Sequence, residues 1–260
     1  MKAPVFLYRL FGLLCSSLLL ISPSQAQSAE ALYQAGNQAY EAGKFDQALA
    51  RYDSVRQAGL ASPRLYYNLG NAHYKLGHTG QAILNYERAL KLDPGYEDAQ
   101  FNLRLARQQV VDRIEPEALF VLTRWWRSLT QGQTVSLWGY LSLGLMWLSL
   151  GSVALLLFGA GQWRRVAFIL TIVCGLSALL TLGLGSYRHA QLQEASHAIV
   201  IRPNAYLKNA PDGPTDLMIL HEGAKVEYLD QVGQWAQVRI SGANVETTEG
   251  FLPIAAIEPI

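Results

Sequence analysis

Two apolar runs dominate the pattern along the chain. Residues 128–163 carry no charged side chain, and within them "VSLWGYLSLGLMWLSLGSVALLLF" (135–158) is apolar around the whole circumference of a helix. After "GAGQWRR" a second run, "VAFILTIVCGLSALLTLGLGSY" (166–187), holds 22 uncharged residues. A helix of 24 residues rises about 36 Å at about 1.5 Å per residue, enough for a tilted crossing of a bilayer. The pattern therefore predicts two transmembrane helices within 135–187. A buried hairpin of a water-soluble domain would keep a polar face, and these runs have none. Trp138, Trp147, Trp163 and Tyr187 include interface anchors. Ser177, Thr181 and Gly185 recur every four residues and offer a small face for close helix packing.

The segment before the first run has a different rhythm. In "PEALFVLTRWWRSLTQGQ" (116–133), Phe120, Trp125, Trp126 and Leu129 alternate at helical spacing with Arg124 and Arg127. Residues 114–134 read as a juxtamembrane amphipathic segment, either lying on the membrane surface or packed on the preceding domain. At the N-terminus, Lys2 and Arg9 precede the apolar "LFGLLCSSLLLI", and "SPSQAQ" supplies Ser24 and Ala26 as small residues. Residues 1–26 read as a signal peptide.

Between these segments the chain repeats itself. "LYQAGNQAYEAGKFDQALARYDSV" (32–55) aligns with "YYNLGNAHYKLGHTGQAILNYERA" (66–89). Gly36 pairs with Gly70, Asn37 with Asn71, Tyr40 with Tyr74, Gly43 with Gly77, Ala48 with Ala82 and Tyr52 with Tyr86, each 34 residues apart. That period resembles the tetratricopeptide repeat, an all-α array of helix pairs. Pro94 ends the second unit, and "EDAQFNLRLARQQVVD" (97–112) is expected to cap it, giving an array over 27–113. The first helix of each unit lines the inner face. There Tyr33, Asn37, Tyr40, Tyr67, Asn68, Asn71 and Tyr74 form the expected partner-binding groove, where amides and phenols hydrogen-bond an extended peptide. Asn37 and Asn68 stand where the family's carboxylate clamp has asparagine. Tyr33, Asp98 and Asn102 stand where its cations belong, so the resemblance does not extend to capture of a chain terminus. Tyrosines that simply pack between helices are the alternative.

Beyond residue 187 short β-prone runs alternate with turn residues. "VGQ" (232–234) marks a tight hairpin between two alternating strands. About five short strands over 188–260 predict a small all-β barrel. "LHEGAKVEYLDQVGQWAQVRI" and "EGFLPIAAIE" resemble a bacterial SH3-like domain. The resemblance implies peptide or cell-wall ligands on an aromatic face, here Tyr206, Tyr228, Trp235 and Phe251. Trp235 and Phe251 as barrel core is the alternative reading.

Composition narrows the function classes. The 260 residues carry a net charge of +1, so there is no basic stripe to neutralise the phosphates of a nucleic acid. Cys15 and Cys174 both sit in apolar runs and build neither a disulfide framework nor a thiolate site. His73, His78, His189, His197 and His221 are scattered, and no nucleotide loop or nucleophile elbow is present. No catalytic residue, metal ligand or cofactor is assigned, and the chain is expected not to be an enzyme.

The order of signal segment, repeats, membrane hairpin and SH3-like barrel is similar to BatE-type proteins of the bacterial aerotolerance operon. "LHEGAKVEYLDQVGQW" is the most specific stretch of that likeness. The resemblance implies a scaffold beside von Willebrand factor A-type membrane proteins and a MoxR-type ATPase, in oxygen tolerance or envelope stress. The signal segment would place the repeats outside and two spans would return the C-terminus to that side, so residence in the bacterial cytoplasmic membrane is expected, with both soluble modules on the periplasmic side. The competing expectation is a cell-wall sensor whose barrel grips peptidoglycan.

Overall fold

The computed structural model of the chain describes residues 23–112, 114, 120–193, 197–242 and 245–260. The expected targeting segment lies outside these residues up to position 22. The chain divides into two compact units, Met1–Ala61 and Ser62–Ile260.

In the first unit, α1 (Pro23–Glu41) and α2 (Phe45–Gln57) form one helical hairpin. Gly43 joins them with φ +73°, a left-handed turn that glycine adopts without steric cost. A Cβ placed on Gly36 would stand 2.5 Å from the Tyr52 ring, and Tyr52 is fully buried.

The second unit opens with the same hairpin, α3 (Pro63–Lys75) and α4 (Thr79–Leu92), followed by α5 (Glu97–Arg107). Ser62 caps α3 by accepting from the Leu65 amide at 3.1 Å, with Pro63 in the first turn, where its missing N–H costs nothing. Gly70 repeats the close approach, with a Cβ there meeting the Tyr86 ring at 2.6 Å. The two repeats therefore use one packing device, a tyrosine ring seated against a glycine.

Next come α6 (Val121–Gln131), α7 (Val135–Phe158) and α8 (Gln162–Gln193). Among the described residues two helices, Val135–Phe158 and Gln162–Leu192, are long and apolar enough to cross a membrane, and almost none of their surface is buried by the described residues. They pack on each other through hydroxyls. Ser142 donates to the Ala178 carbonyl at 3.2 Å, Ser149 to that of Thr171 at 3.2 Å, and Ser152 shares a 2.7 Å bond with the Thr171 hydroxyl. The small-residue face includes the expected Thr181 and Gly185 and runs further along α8. Thr171, Ala178 and Gly185, every seven residues, meet α7, and Thr181 lines a cavity with Val135, Trp138 and Gly139 of that helix while its hydroxyl bonds back to Ser177 and Ala178. A seven-residue spacing keeps one face toward a partner helix better than a four-residue one, which drifts around the axis. The second apolar helix also outruns its expected limits, so the β module begins at His197 rather than 188.

That module is a seven-stranded antiparallel sheet of order β3-β2-β6-β5-β4-β1-β7. Its strands are β1 (His197–Val200), β2 (Asn204–Lys208), β3 (Asp216–His221), β4 (Lys225–Val232), β5 (Trp235–Gly242), β6 (Val245–Pro253) and β7 (Ile257–Pro259). Seven strands replace the expected five, and β3 and β7 remain separate edges, so the sheet is not closed. The tight turn expected at 232–234 is present, with Val232 opposite Trp235 and Gly233 at φ +61°. Ala198, Val200, Leu207, Leu220, Val226, Val238, Ile240 and Leu252 fill the core of the sheet.

The sheet docks on the second repeat. Ile199 enters one apolar cluster with Ile83, Leu84, Leu103 and Val110. Gly223 (φ +90°) lies so close that a Cβ would meet Val110 at 2.6 Å and Ile83 at 2.9 Å. The Gly80 amide donates to Glu222 Oε1 at 2.6 Å, so a residue of the β3–β4 turn caps α4, whose own N-cap His78 supplies no side-chain bond. At the other end Arg188 of α8 donates to the Lys91 carbonyl at 2.8 Å. Arg88 and Lys91 hold the C-terminal strand through the Pro259 and Ile260 carbonyls at 2.7 and 2.8 Å.

Replacing Gly70 by alanine forces the buried Tyr86 ring out of its seat, at a cost of about 1–3 kcal/mol in unfolding free energy. Denaturant melts of the detergent-solubilised chain measure this, and an unshifted midpoint contradicts the packing described.

Candidate functional site

Most of the expected groove residues are engaged by neighbouring helices of their own unit. In the first unit Tyr52 donates its hydroxyl to Asn37 Oδ1 at 2.9 Å, the Tyr33 ring lies 5.9 Å from that of Tyr52, and Tyr40 packs edge-on against Phe45 at 5.3 Å. In the second unit the same bond recurs, with Tyr86 donating to Asn71 Oδ1 at 2.7 Å. Asn71 also accepts from Asn102 Nδ2 at 2.8 Å, and Asn102 reaches the Tyr67 hydroxyl at 3.3 Å. Tyr67 packs beside Tyr96 at 5.1 Å, and Tyr74 accepts from Gln109 at 2.9 Å. Asn68 is half-buried. Asn71 is thus a junction that ties α3, α4 and α5 together.

Unsatisfied surface lies one helix further on. Phe101 and Leu105 of α5 are 55% and 36% exposed, and the Arg104 guanidinium sits 5.9 Å from the centre of the Phe101 ring. Phe101 follows Tyr67 by 34 residues and Leu105 follows Asn71 by 34. They therefore occupy, on the third helix of the inner row, the places that groove residues hold on α3. Carrying the period one step further would have found them, but reading 97–112 only as a cap stops short.

On the sheet, pairing decides which way each aromatic points, because residues directly opposite on antiparallel strands share a face. Phe251 pairs with Gln237 and with Lys208, Trp235 with Pro253, and Tyr206 with Ile219. On β5 these alternate with the buried Ala236, Val238 and Ile240. Tyr206, Trp235 and Phe251 thus stand on the outer face of three adjacent strands, β2, β6 and β5. Tyr228 pairs with Val238 and packs against the core, on the opposite face. It is separated from the other three by the sheet itself. The edge strand β3 adds exposed Leu217 and Ile219 next to Tyr206.

A cleft of about 560 Å³ lies between α5 and the sheet, lined by Arg104, Arg107, Asp112, Lys225, Glu227 and Arg239 among others. Its charges largely cancel. Glu87 binds Lys225 at 3.0 Å and also Arg107, and Arg239 binds Glu227 at 3.1 Å and Glu249 at 2.8 Å. Asp112 accepts from the His221 amide at 2.5 Å and faces the His221 ring at 3.0 Å. Burial works to raise the Glu87 carboxyl, but Lys225 and Arg107 outweigh it and hold its pKa below the ordinary value. Hydrogen bonds to Glu249 and Glu227 push the Arg239 guanidinium up. The cleft is a charge-balanced seam between modules rather than a concentrated anion site. Among the described residues no group of three or more His, Cys, Asp and Glu side chains converges. Cys174 is a free thiol within α8, and His73 and His78 face each other at 3.3 Å through Nδ1.

Because the folded pKa of Glu87 is depressed, its contribution to stability is complete above the ordinary value of 4.5 and is lost as pH falls through the lower folded value. At pH 7 Glu87→Gln is expected to cost about 1–2 kcal/mol, since it leaves the half-buried Lys225 and the exposed Arg107 without their carboxylate. Calorimetry between pH 7 and 3 is expected to show the gap between wild type and variant closing with acid.

Residues 63–96 match the tetratricopeptide repeat family. That match falls on α3, α4 and the turn leading to α5. No curated protein matches the chain.

Proposed function

We propose that this chain is a membrane-anchored scaffold of the bacterial envelope that acts by holding other proteins and not by catalysis. The repeat family is a protein-interaction architecture, and the carrying observation is the exposed Phe101–Arg104–Leu105 surface on its inner row. Phenylalanine and arginine are among the residues enriched in the buried core of protein interfaces. The sheet is read as an open SH3-like module, with its ligand face on Tyr206, Trp235 and Phe251. In this reading α7 and α8 cross the cytoplasmic membrane and both soluble modules stand on the periplasmic side. The partners are other membrane proteins, of the von Willebrand factor A type with a MoxR-type ATPase, in aerotolerance or envelope stress.

A peptidoglycan sensor is the second reading, favoured by Tyr206, which is 47% exposed on the outer sheet face. Aromatic platforms of that kind bury the apolar faces of sugar rings.

Crosslinking mass spectrometry in native membranes identifies the partner. Phe101→Ala with Leu105→Ala is expected to reduce its capture at least tenfold with at most a few degrees' loss of melting temperature, because Phe101 is 55% and Leu105 36% exposed. Capture that survives the double variant removes the α5 surface from the function. Asn71→Ala is a poor probe of binding, since it strands the buried Tyr86 hydroxyl and costs about 1–3 kcal/mol in folding. Co-sedimentation of the full chain with purified peptidoglycan, lost in Tyr206→Ala, would favour the sensor, and no sedimentation favours the scaffold.

A further inference from the structure

Among the described residues nothing covers the apolar face of the helix α6. Phe120, Val121, Leu122, Trp125 and Trp126 are all exposed, Leu122 at 64% and Trp125 at 58%. At about 100° per residue, positions 121, 122, 125 and 126 form one stripe along the helix. Positions 124 and 127 fall on the other side of the axis, and both are arginine in the sequence. Thr130, at the C-terminal end, is buried where α6 meets α8.

Position along the chain says what covers the stripe. Three residues, Gly132–Thr134, separate α6 from α7, and three extended residues reach about 10 Å. Thr134 caps α7 by accepting from the Leu137 amide at 3.3 Å, so the apolar span starts at once. If α7 crosses the membrane, α6 is confined to the level where the span meets water. Tryptophan is the residue that favours that level, with its ring among the acyl chains and its N–H toward the headgroups.

We propose that α6 lies flat in the headgroup layer of a membrane that contains anionic phospholipid, with its tryptophan face toward the acyl chains. The proposal rests on the reading of α7 and α8 as membrane spans. A lipid surface fits better than a partner helix, because the stripe runs directly into the spanning segment and its charge is of the sign that anionic headgroups attract. Together with the Arg188 contact to α4, it gives the second unit two points of fixation at the membrane surface.

The test uses the full chain in vesicles of phosphatidylcholine, alone or mixed with phosphatidylglycerol, with Cys15 and Cys174 changed to serine. Spin labels are placed singly at Leu122, Ser128 and Leu148. The expected result is an oxygen-over-nickel accessibility ratio severalfold higher at 122 than at 128, highest at 148, and deeper burial at 122 when phosphatidylglycerol is present. Trp125→Ser with Trp126→Ser should return the 122 label to water. If the 148 label is in lipid while 122 and 128 are equally aqueous, the spans stand and the placement of α6 falls. Equal depth at 122 with and without phosphatidylglycerol overturns the anionic preference. A water-exposed 148 label overturns the spans, and the α6 proposal with them.

Discussion

One helix, α4, is the element on which the second unit is built. Its Gly80 amide finds its acceptor in Glu222, 142 residues away along the chain, and the Lys91 carbonyl near its C-terminal end finds its donor in Arg188. A carboxylate at the positive end of the helix dipole and a guanidinium at the negative end are the favourable arrangement. Between them Ile83 and Leu84 share an apolar cluster with Ile199 of the sheet. Gly80 and Gly223 make this possible, since a side chain at either would collide with the facing element. A repeat, a sheet and a transmembrane-length helix are thus tied to a single rod by bonds a few residues apart. For a short array this matters. A lone tetratricopeptide pair exposes the apolar side of its last helices, and here the sheet and α5 cover that side.

The same economy fixes which residues remain for recognition. Each repeat spends its asparagine on the hydroxyl of a tyrosine fifteen positions later, Asn37 with Tyr52 and Asn71 with Tyr86. The tyrosine must be buried to lie on its glycine, and a buried hydroxyl left without an acceptor is costly. The asparagine is therefore required by the packing. Residues that resemble a peptide-binding amide row are, in the fold, the polar half of a core contact. Surface without a partner begins where the polar row is replaced by Phe101 and Leu105.

The sheet illustrates how alternation sorts residues of one chemical kind. Tyr206, Trp235 and Phe251 share the outer face, whereas Tyr228 points to the core although it sits on the strand next to Trp235. A register shift between Tyr228 and Asp230 separates the two ends of that strand pair. A single extra residue in one strand changes which face later side chains occupy, and no composition rule reports where it falls.

The sequence by itself determined the repeat, the two apolar helices and the β character of the C-terminal module, because each is a periodicity and periodicity is local. The 34-residue spacing placed Gly36, Gly70, Tyr52 and Tyr86 correctly, since glycine under a ring is a contact within one hairpin. Only the tertiary structure decided that Glu222 caps α4, that Thr171, Ala178 and Gly185 face α7, and that the sheet stays open. It also decided that Asn71 faces inward while Phe101 faces outward. Those outcomes depend on partners far away along the chain, and burial of a polar group is settled by whichever distant donor or acceptor the packing brings within about 3 Å.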